Sequence, residues 1–209
     1  MPILLYTLIY MSILNYNEIK QRSHIIHEDE PWEVIESQVS RKQANKPVNK
    51  TKIKNLITGR VVDHTFHVSD KVRQAELERQ DITFLYMNEQ KGEYWFSDPE
   101  NPKNRFTLEK HTVGEAIRFV TEKSTVQSVL FQKPGDDDPV IIGIKYPMKM
   151  KLTVTEAPPN IKGDTATGGR KVVTLETGAH VNVPMFINVG DVIVVNTDSG
   201  EYSERAEKS

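Results

Sequence analysis

The chain of 209 residues contains no cysteine and no apolar run long enough to span a bilayer. Without cysteine it has no disulfide framework, no thiolate zinc site and no cysteine nucleophile, which fits the reducing cytoplasm. The most apolar stretch, MPILLYTLIYM at residues 1–11, falls well short of the roughly 20 residues that a membrane helix needs. It also lacks a basic start and a small-residue cleavage site. We therefore predict a cytoplasmic protein with neither a signal peptide nor a membrane anchor.

Composition bounds the fold class and the number of domains. Apolar residues make up 37% and charged residues 27%, with a net charge of −2, which favours a folded soluble protein over a disordered one. The length suits two or three small domains. Residues 1–11 are treated as an extension, because Met11 opens a more ordinary segment and is an alternative translation start.

Short runs of β-forming residues dominate the sequence. VVDHTFHV at 61–68 and KMKLTVTE at 149–156 alternate between apolar and polar residues, as half-buried strands do. Many short strands separated by turn residues indicate an all-β protein of small barrels or sandwiches. Further β-rich runs lie at 31–37, 82–87, 92–96, 125–131, 139–144, 180–187 and 191–197.

One helix is predicted in the middle of the chain. Thr112 and Glu115 have the spacing of a capping box, with Thr112 as the N-cap. Apolar residues follow as a stripe at Ala116, Ile117, Phe119 and Val120. Charged or turn-rich segments at 69–81 and 133–139 mark the boundaries of the predicted β units.

Residues 37–62, which we call the finger, carry seven cations and no Asp or Glu although the whole chain is mildly acidic. In an extended strand Lys50, Lys52 and Lys54 share one face, with an ammonium roughly every 7 Å, close to the repeat of single-strand phosphates. The finger is either a solvated hairpin or a segment that enters a phosphate-rich cleft. The seven cations are Arg41, Lys42, Lys46, Lys50, Lys52, Lys54 and Arg60.

The last third of the chain carries a set of specific motifs. They are GDTA at 163–166 followed by Gly168 and Gly169, TLETG at 174–178, VPMFI at 183–187 and DSGEY at 198–202. With KIKNLITG at 52–59 and VTEAPPNIKGDTA at 154–166, these motifs resemble the elongation factor P family over nearly all of residues 12–205. Val173 departs from the family, which usually has alanine there.

The resemblance implies three β-barrel domains: an SH3-like (KOW-like) domain at 12–73 with the finger, and two OB-folds at 74–143 and 144–209, arranged as an L. It also implies a translation factor rather than an enzyme, with no cofactor and no metal. Its expected partners are the 70S ribosome, ribosomal RNA, the P-site peptidyl-tRNA and the E-site codon. Such a factor binds as a monomer between the P and E sites and relieves stalling at consecutive prolines.

The finger tip departs from the family pattern. Counting back from KIKNLITG without gaps, the position of the modifiable lysine or arginine falls on Ala44, flanked by Lys42 and Gln43 before it and by Asn45, Lys46 and Pro47 after it. The resemblance therefore implies either an unmodified variant, which we favour because Pro47 stiffens the loop, or a shifted register with Lys46 or Lys42 at the tip. A paralogue with another stalling specificity and a generic single-stranded RNA binder remain the alternatives.

A glycine-rich loop near residue 165 is either an ordinary turn-rich loop between strands or, as the resemblance implies and as we favour, a second RNA contact at the end of the third domain. There its cations contact phosphates and its glycines allow close backbone approach. It is not a nucleotide-binding P-loop, because Gly169 stands where that motif needs lysine. The predicted contacts, besides Arg41 and the three finger lysines, are Lys162, Gly163, Asp164, Thr165, Gly168, Gly169, Arg170 and Lys171.

Two smaller groups of residues have possible functional roles. Tyr94, Trp95 and Phe96 are expected to form barrel core with one partly exposed ring, and a base-stacking platform is the alternative. The histidine pairs 24/27 and 64/67 are spaced i, i+3, which places the two side chains of a strand on opposite faces, so neither pair is expected to bind metal.

Overall fold

The computed structural model describes residues 12–41, 46–88, 90–136, 138–159 and 169–206. This part of the chain is built almost entirely of β-strands, which confirms the all-β prediction. By compactness the chain divides into two units, Met1–Arg79 with Val129–Gly143, and Gln80–Ser128 with Ile144–Ser209. The boundaries of the three predicted domains stay a prediction. Within the described ranges no helix is long and apolar enough to cross a membrane.

The N-terminal strands form a two-stranded and a four-stranded sheet. Strand β1 (Ile13–Asn15) pairs with β6 (Lys71–Arg73). The larger sheet has the antiparallel order β2-β3-β4-β5. Its strands are β2 (His24–His27), β3 (Glu30–Ser40), β4 (Val48–Asn55) and β5 (Val61–His67).

The four-stranded sheet curls on itself. Strands β2 and β5 are its two outer strands, yet the ring centroids of His27 and His64 lie only 4.5 Å apart. The concave side holds a buried core that includes Trp32, Ile53 and Phe66. Twist and curling of this kind bring the two edges of a short antiparallel sheet together, so the sheet is a half-barrel.

The middle of the chain forms a five-stranded sheet with the order β11-β10-β7-β8-β9. Its inward residues Phe84, Tyr94 and Phe96 are buried in a shared core. The strands are β7 (Leu77–Asn88), β8 (Glu93–Ser97), β9 (Arg105–Glu109), β10 (Thr125–Phe131) and β11 (Val140–Lys145).

The C-terminal strands form a second five-stranded sheet with the order β14-β13-β12-β15-β16. The strand predicted at 180–187 ends at Pro184, and a turn follows it. Leu152, Val183 and Ile193 are fully buried in the core of this sheet. The strands are β12 (Lys149–Glu156), β13 (Arg170–Leu175), β14 (His180–Pro184), β15 (Val192–Asn196) and β16 (Tyr202–Arg205).

The predicted helix is replaced by two short turns. Helix α1 (Lys110–Val113) ends before Gly114, and a 3₁₀ helix (Glu115–Phe119) follows without a side-chain cap. The capping-box prediction was wrong, because Thr112 lies inside α1 and Gly114, with an extended ψ of 177°, interrupts the helix after it. The stripe of apolar residues reflects burial of the 3₁₀ helix.

Three hairpin turns share one construction. In each, an Asn carbonyl accepts a hydrogen bond from the N–H of a Gly four residues later, at 2.8–3.0 Å. The Asn side-chain oxygen also accepts from one or two backbone N–H groups inside the turn. The Gly has a positive φ of 66–74°, which other residues adopt only with strain. The pairs are Asn55 with Gly59, Asn88 with Gly92, and Asn196 with Gly200.

Candidate nucleic-acid interface

Strand β4 of the finger presents its lysines on one face, as the sequence predicted. Lys50 and Lys54 are exposed and Lys52 is half-buried, while the intervening Thr51 and Ile53 are buried. We call Lys50, Lys52 and Lys54 the lysine row. The alternation places three cations in line on the convex face of the half-barrel, with the core directly beneath them.

The three lysines have different neighbours across the sheet. Lys52 faces Glu36 on β3 and Asp63 on β5, and its ammonium lies 3.3 Å from the Glu36 carboxylate. Lys50 faces the uncharged Gln38 and Thr65 instead. Glu36 and Asp63 therefore partly offset the positive charge of Lys52, whereas neither strand neighbour of Lys50 carries a charge.

A neighbouring glutamate also lies beside the third lysine. Lys54 is paired with Glu33 on β3 and with Val61 on β5. The exposed pair of Lys52 with Glu36 contributes about 0.2–1 kcal/mol, as such pairs do, so a phosphate can compete for the ammonium.

A buried polar cluster anchors the lysine row from below. Asn49 is fully buried, and its Nδ2 donates to the carbonyls of Tyr16 at 2.6 Å and Ile19 at 2.8 Å. Ser37 Oγ lies 2.8 Å from the Ile19 carbonyl and 3.0 Å from Asn49 Oδ1. These bonds tie β3 and β4 to the segment after β1, so the base of the finger is fixed to the body of the sheet.

The seam between the outer strands contains a histidine pair. His27 packs against His64 at 4.5 Å and edge-on against Trp32 at 5.6 Å, and the Trp32 indole donates to the His27 carbonyl at 2.9 Å. Burial, and secondarily the charge of His27, lowers the pKa of His64. The structure brings together one histidine from each predicted pair, which sequence spacing did not indicate. Among the described residues no three His, Asp or Glu side chains form a group that could hold a metal ion.

The finger tip is described only at its margins. Arg41 is exposed directly after β3, Lys46 is exposed, and Pro47 is half-buried before β4. The other predicted tip residues lie outside the described residues; they are Lys42, Gln43, Ala44 and Asn45.

The second predicted contact is described only from Gly169 onward. Arg170 is exposed at the start of β13, and its guanidinium donates to the Asn182 carbonyl at 2.8 Å. Lys171 is only 7% exposed and its ammonium donates to the Pro158 carbonyl at 3.2 Å. The burial of Lys171 does not suit the predicted phosphate contact, so Arg170 is the exposed cation at this end of β13. Outside the described residues lie Lys162, Gly163, Asp164, Thr165 and Gly168.

The aromatic group of the middle sheet divides between core and surface, as predicted. Tyr94 and Phe96 are buried, whereas Trp95 points to the other face. Its ring stacks on Tyr86, with centroids 6.0 Å apart and an interplanar angle of 17°. Tyr86 itself is 40% exposed, and its place beside Trp95 depends on strand pairing that the sequence did not reveal.

The sequence matches two families of known domains. Residues 15–72 match the elongation factor P (EF-P) KOW-like domain, and residues 150–205 match the C-terminal domain of elongation factor P. The four-stranded half-barrel lies within the first match and the C-terminal sheet within the second.

Full-length relatives are also found. The chain is 34% identical to elongation factor P of Carboxydothermus hydrogenoformans over 92% of this chain and 100% of that protein. It is 40% identical to elongation factor P of Moorella thermoacetica over 75% of this chain and 80% of that protein. Among solved structures, eukaryotic translation initiation factor 5A from Methanococcus jannaschii aligns with a TM-score of 0.46 and 11% identity, covering 65% of this chain and 98% of that one.

Proposed function

Because the chain belongs to the elongation factor P family, whose members are translation factors and not enzymes, we propose that it relieves ribosomes stalled at consecutive prolines. It binds as a monomer between the P and E sites, beside the peptidyl-tRNA, and promotes peptide-bond formation. The paralogue with another stalling specificity remains the second candidate, because Ala44 stands where the family carries its modifiable residue.

The observation that carries this proposal is the lysine row. Three cations stand on one face of a strand, roughly 7 Å apart, which is close to the spacing of phosphates along one RNA strand. The buried Asn49 cluster fixes the backbone of β4, so little backbone entropy is lost when the lysine row binds RNA. The net charge of −2 does not oppose such binding, since affinity depends on local neutralisation of phosphates.

The proposed mechanism is positional. The finger lies against the acceptor end of the P-site tRNA and holds it, which lowers the entropic part of the barrier to bond formation with a poor substrate such as proline. No side chain of the chain transfers a proton in this scheme. Arg170 and Gly169, with the predicted contact residues that precede them in the sequence, bind RNA of the small subunit and the E-site codon.

The finger tip works without modification in this proposal. Alanine has no side-chain group that could be lysylated, glycosylated or hypusinated, so Ala44 cannot carry the family's modification. Pro47 fixes its own φ and restricts Lys46, which stiffens the entry into β4. If Lys46 or Lys42 is the tip instead, the protein needs a modifying enzyme from its own host.

The test is in vitro translation of a reporter with three consecutive prolines, using protein made in a heterologous host. We expect the unmodified protein to relieve the stall and the Lys50→Gln/Lys54→Gln variant to require more protein and to bind ribosomes with a salt slope smaller by about 1.5. The matched control is Lys103→Gln/Lys145→Gln, which removes the same charge outside the finger. Lys103 is exposed in a turn, and Lys145 is exposed at the end of the edge strand β11.

Three outcomes separate the alternatives. Relief of proline stalls by the parent and by the control variant, with more protein required only by the Lys50→Gln/Lys54→Gln variant, supports the proposal. Ribosome binding without relief of proline stalls favours the paralogue. Inactivity that is cured by protein from the native host, and lost again in Lys46→Ala, identifies a modified lysine at the tip; Ala44→Lys tests whether the family residue improves the unmodified protein.

A further inference from the structure

The 3₁₀ helix (Glu115–Phe119) contributes to two separate hydrophobic cores. Ile117 packs with Phe84 and Phe96 in the core of the middle sheet. Phe119, two residues later, is 1% exposed and packs with Leu152 and Val183 in the core of the C-terminal sheet. A side chain of the 3₁₀ helix, which packs on the middle sheet through Ile117, thus fills part of the core of the C-terminal sheet.

The C-terminal sheet receives Phe119 at a glycine. An ideal Cβ at Gly200 would lie 3.2 Å from Phe119 Cζ and 2.8 Å from Nη2 of Arg118. The Arg118 guanidinium in turn covers the Phe119 ring, 4.7 Å from its centroid. Contacts shorter than 3.4 Å are tighter than ordinary van der Waals distance, so only glycine leaves room for the ring at this point.

The segment that joins the two sheets is held at both of its ends. The Tyr146 hydroxyl donates to the Val113 carbonyl of α1 at 2.8 Å. On the other side, Thr197 Oγ1 donates to the Pro147 carbonyl at 2.7 Å, and the Thr197 N–H donates to the Met148 carbonyl at 3.0 Å. Thr197 and Gly200 belong to the same turn, which begins at Asn196. This turn therefore hydrogen-bonds to the joining segment and also packs against Phe119.

We propose that residues 196–201 form a clasp that fixes the C-terminal sheet rigidly on the middle sheet, with Phe119 and Gly200 as positioning residues. This proposal rests on the proposed function for its consequence: the clasp holds the Arg170 end of the C-terminal sheet in the place from which it meets RNA. The clasp also gives the DSGEY motif a physical role, since its glycine is required by Phe119 and its tyrosine packs against the same core.

A matched pair of glycines tests the clasp. Gly178 lies in the same sheet with φ +80°, close to the +71° of Gly200, but an added Cβ there meets nothing within 4 Å. Gly178→Leu and Gly200→Leu therefore introduce the same kind of backbone strain, and only the second places a side chain against Phe119. Phe119→Leu makes the side chain in the C-terminal core smaller. Arg118→Ala, at an exposed site, removes the guanidinium that covers the Phe119 ring.

The readout is the distance between the two sheets. Because the chain has no cysteine, spin labels can be attached at Lys103→Cys and Lys151→Cys, two exposed sites, and their separation measured by double electron–electron resonance. We expect one narrow distance in the parent and in Gly178→Leu, and loss of that narrow peak in Gly200→Leu and Phe119→Leu while far-UV circular dichroism stays unchanged. A narrow, unshifted distance in all four proteins would overturn the clasp.

Translation of the proline reporter then tests the positioning role. Gly200→Leu is expected to need about tenfold more protein for half-maximal relief than Gly178→Leu, because small misplacements of a positioned group are costly. Equal requirements despite a broadened distance would overturn the positioning role. A parent protein that relieves no stall would overturn the proposed function, and the distances alone would still decide whether the clasp exists.

Discussion

The buried amide under the lysine row offers a quantitative test of how the finger is held. In Asn49→Ala the two bonds donated by Nδ2 to the Tyr16 and Ile19 carbonyls disappear. The Ile19 carbonyl keeps a hydrogen bond from Ser37, but the Tyr16 carbonyl loses this donor. The variant therefore removes two donated hydrogen bonds and the contact between Ser37 Oγ and Asn49 Oδ1, and it leaves the Tyr16 carbonyl without its Asn49 donor.

The magnitude follows from these contacts. Two hydrogen bonds at about 0.5–1.5 kcal/mol each, with some desolvation cost for the acceptor left behind, predict a loss of about 2 kcal/mol in the free energy of unfolding. With a urea slope of about 2 kcal/mol/M, the midpoint should fall by roughly 1 M.

The two tryptophans make the assay specific for the N-terminal unit. Trp32 is buried in the core of the half-barrel, and Trp95 lies in the middle sheet. In a Trp95→Phe background the fluorescence of Trp32 alone follows urea unfolding of the half-barrel. Asn49→Ala is compared there with Gln38→Ala, an exposed change on the same hairpin, which is expected to shift the midpoint very little.

A second substitution at Asn49 tests whether the buried amide must donate hydrogen bonds. Asn49→Asp keeps the shape of the side chain but turns a carboxylate oxygen toward two carbonyl oxygens in a buried site, so it should destabilise more than Asn49→Ala. An Asp variant as stable as the parent, or an Ala variant no worse than Gln38→Ala, would contradict the anchoring role.

Three further predictions follow from other contacts. Burial, and secondarily His27, lowers the pKa of His64 from 6.5, so the folded protein favours the neutral imidazole. This contribution to stability is complete above pH 6.5 and is lost as the pH falls through the lowered pKa. Urea midpoints measured between pH 7.5 and 5 should show this loss, and the His64→Gln variant should lack this part of the pH dependence. Asn196→Ala should cost about 1–2 kcal/mol and speed amide exchange at Ser199, measured by NMR; unchanged exchange would contradict the capping role. Tyr146→Phe should lower the free energy of unfolding by about 1 kcal/mol through its lost bond to α1, and a neutral result in calorimetry would speak against it.

The strand pattern of the finger could be predicted because it depends on local alternation. The lysines and the buried residues between them repeat with the period of two that any strand imposes. The charge balance of the row could not be predicted, because Glu36 and Asp63 lie just outside the acid-free segment and reach Lys52 only through the pairing of β3 and β5 with β4. Pairing register is a long-range property, and it decided which lysine is partly neutralised.

Lys171 is the opposite case, because the strand period already indicated that its side chain points inward. Lys171, Val173 and Leu175 alternate along β13, and all three are buried. The same period-two argument that placed the finger lysines outward would have placed Lys171 inward with its apolar neighbours. The charge of Lys171 suggested an exposed RNA contact, whereas the strand period correctly indicates a buried side chain.

The continuous middle helix was wrongly predicted because the pattern of buried apolar residues resembles the apolar face of a helix. The apolar residues after Glu115 are buried, but Ile117 and Phe119 serve two different cores rather than one helical face. A pattern that satisfies two cores cannot be distinguished from one amphipathic face in a sequence of this length. The Asn-to-Gly spacing of four was, by contrast, a recurring turn signal that the sequence already contained.

The pairing of β12 with β15 has a consequence for the order of folding. The hairpins closed by Asn-to-Gly turns join residues that are near each other in the chain, and such contacts form early because loop closure is cheap. Lys149 pairs instead with Asn196, from which it is separated in the sequence by strands β13 and β14. Within the C-terminal sheet this pairing should therefore form after the hairpins, and the core that buries Phe119 is complete only once β12 and β15 have paired.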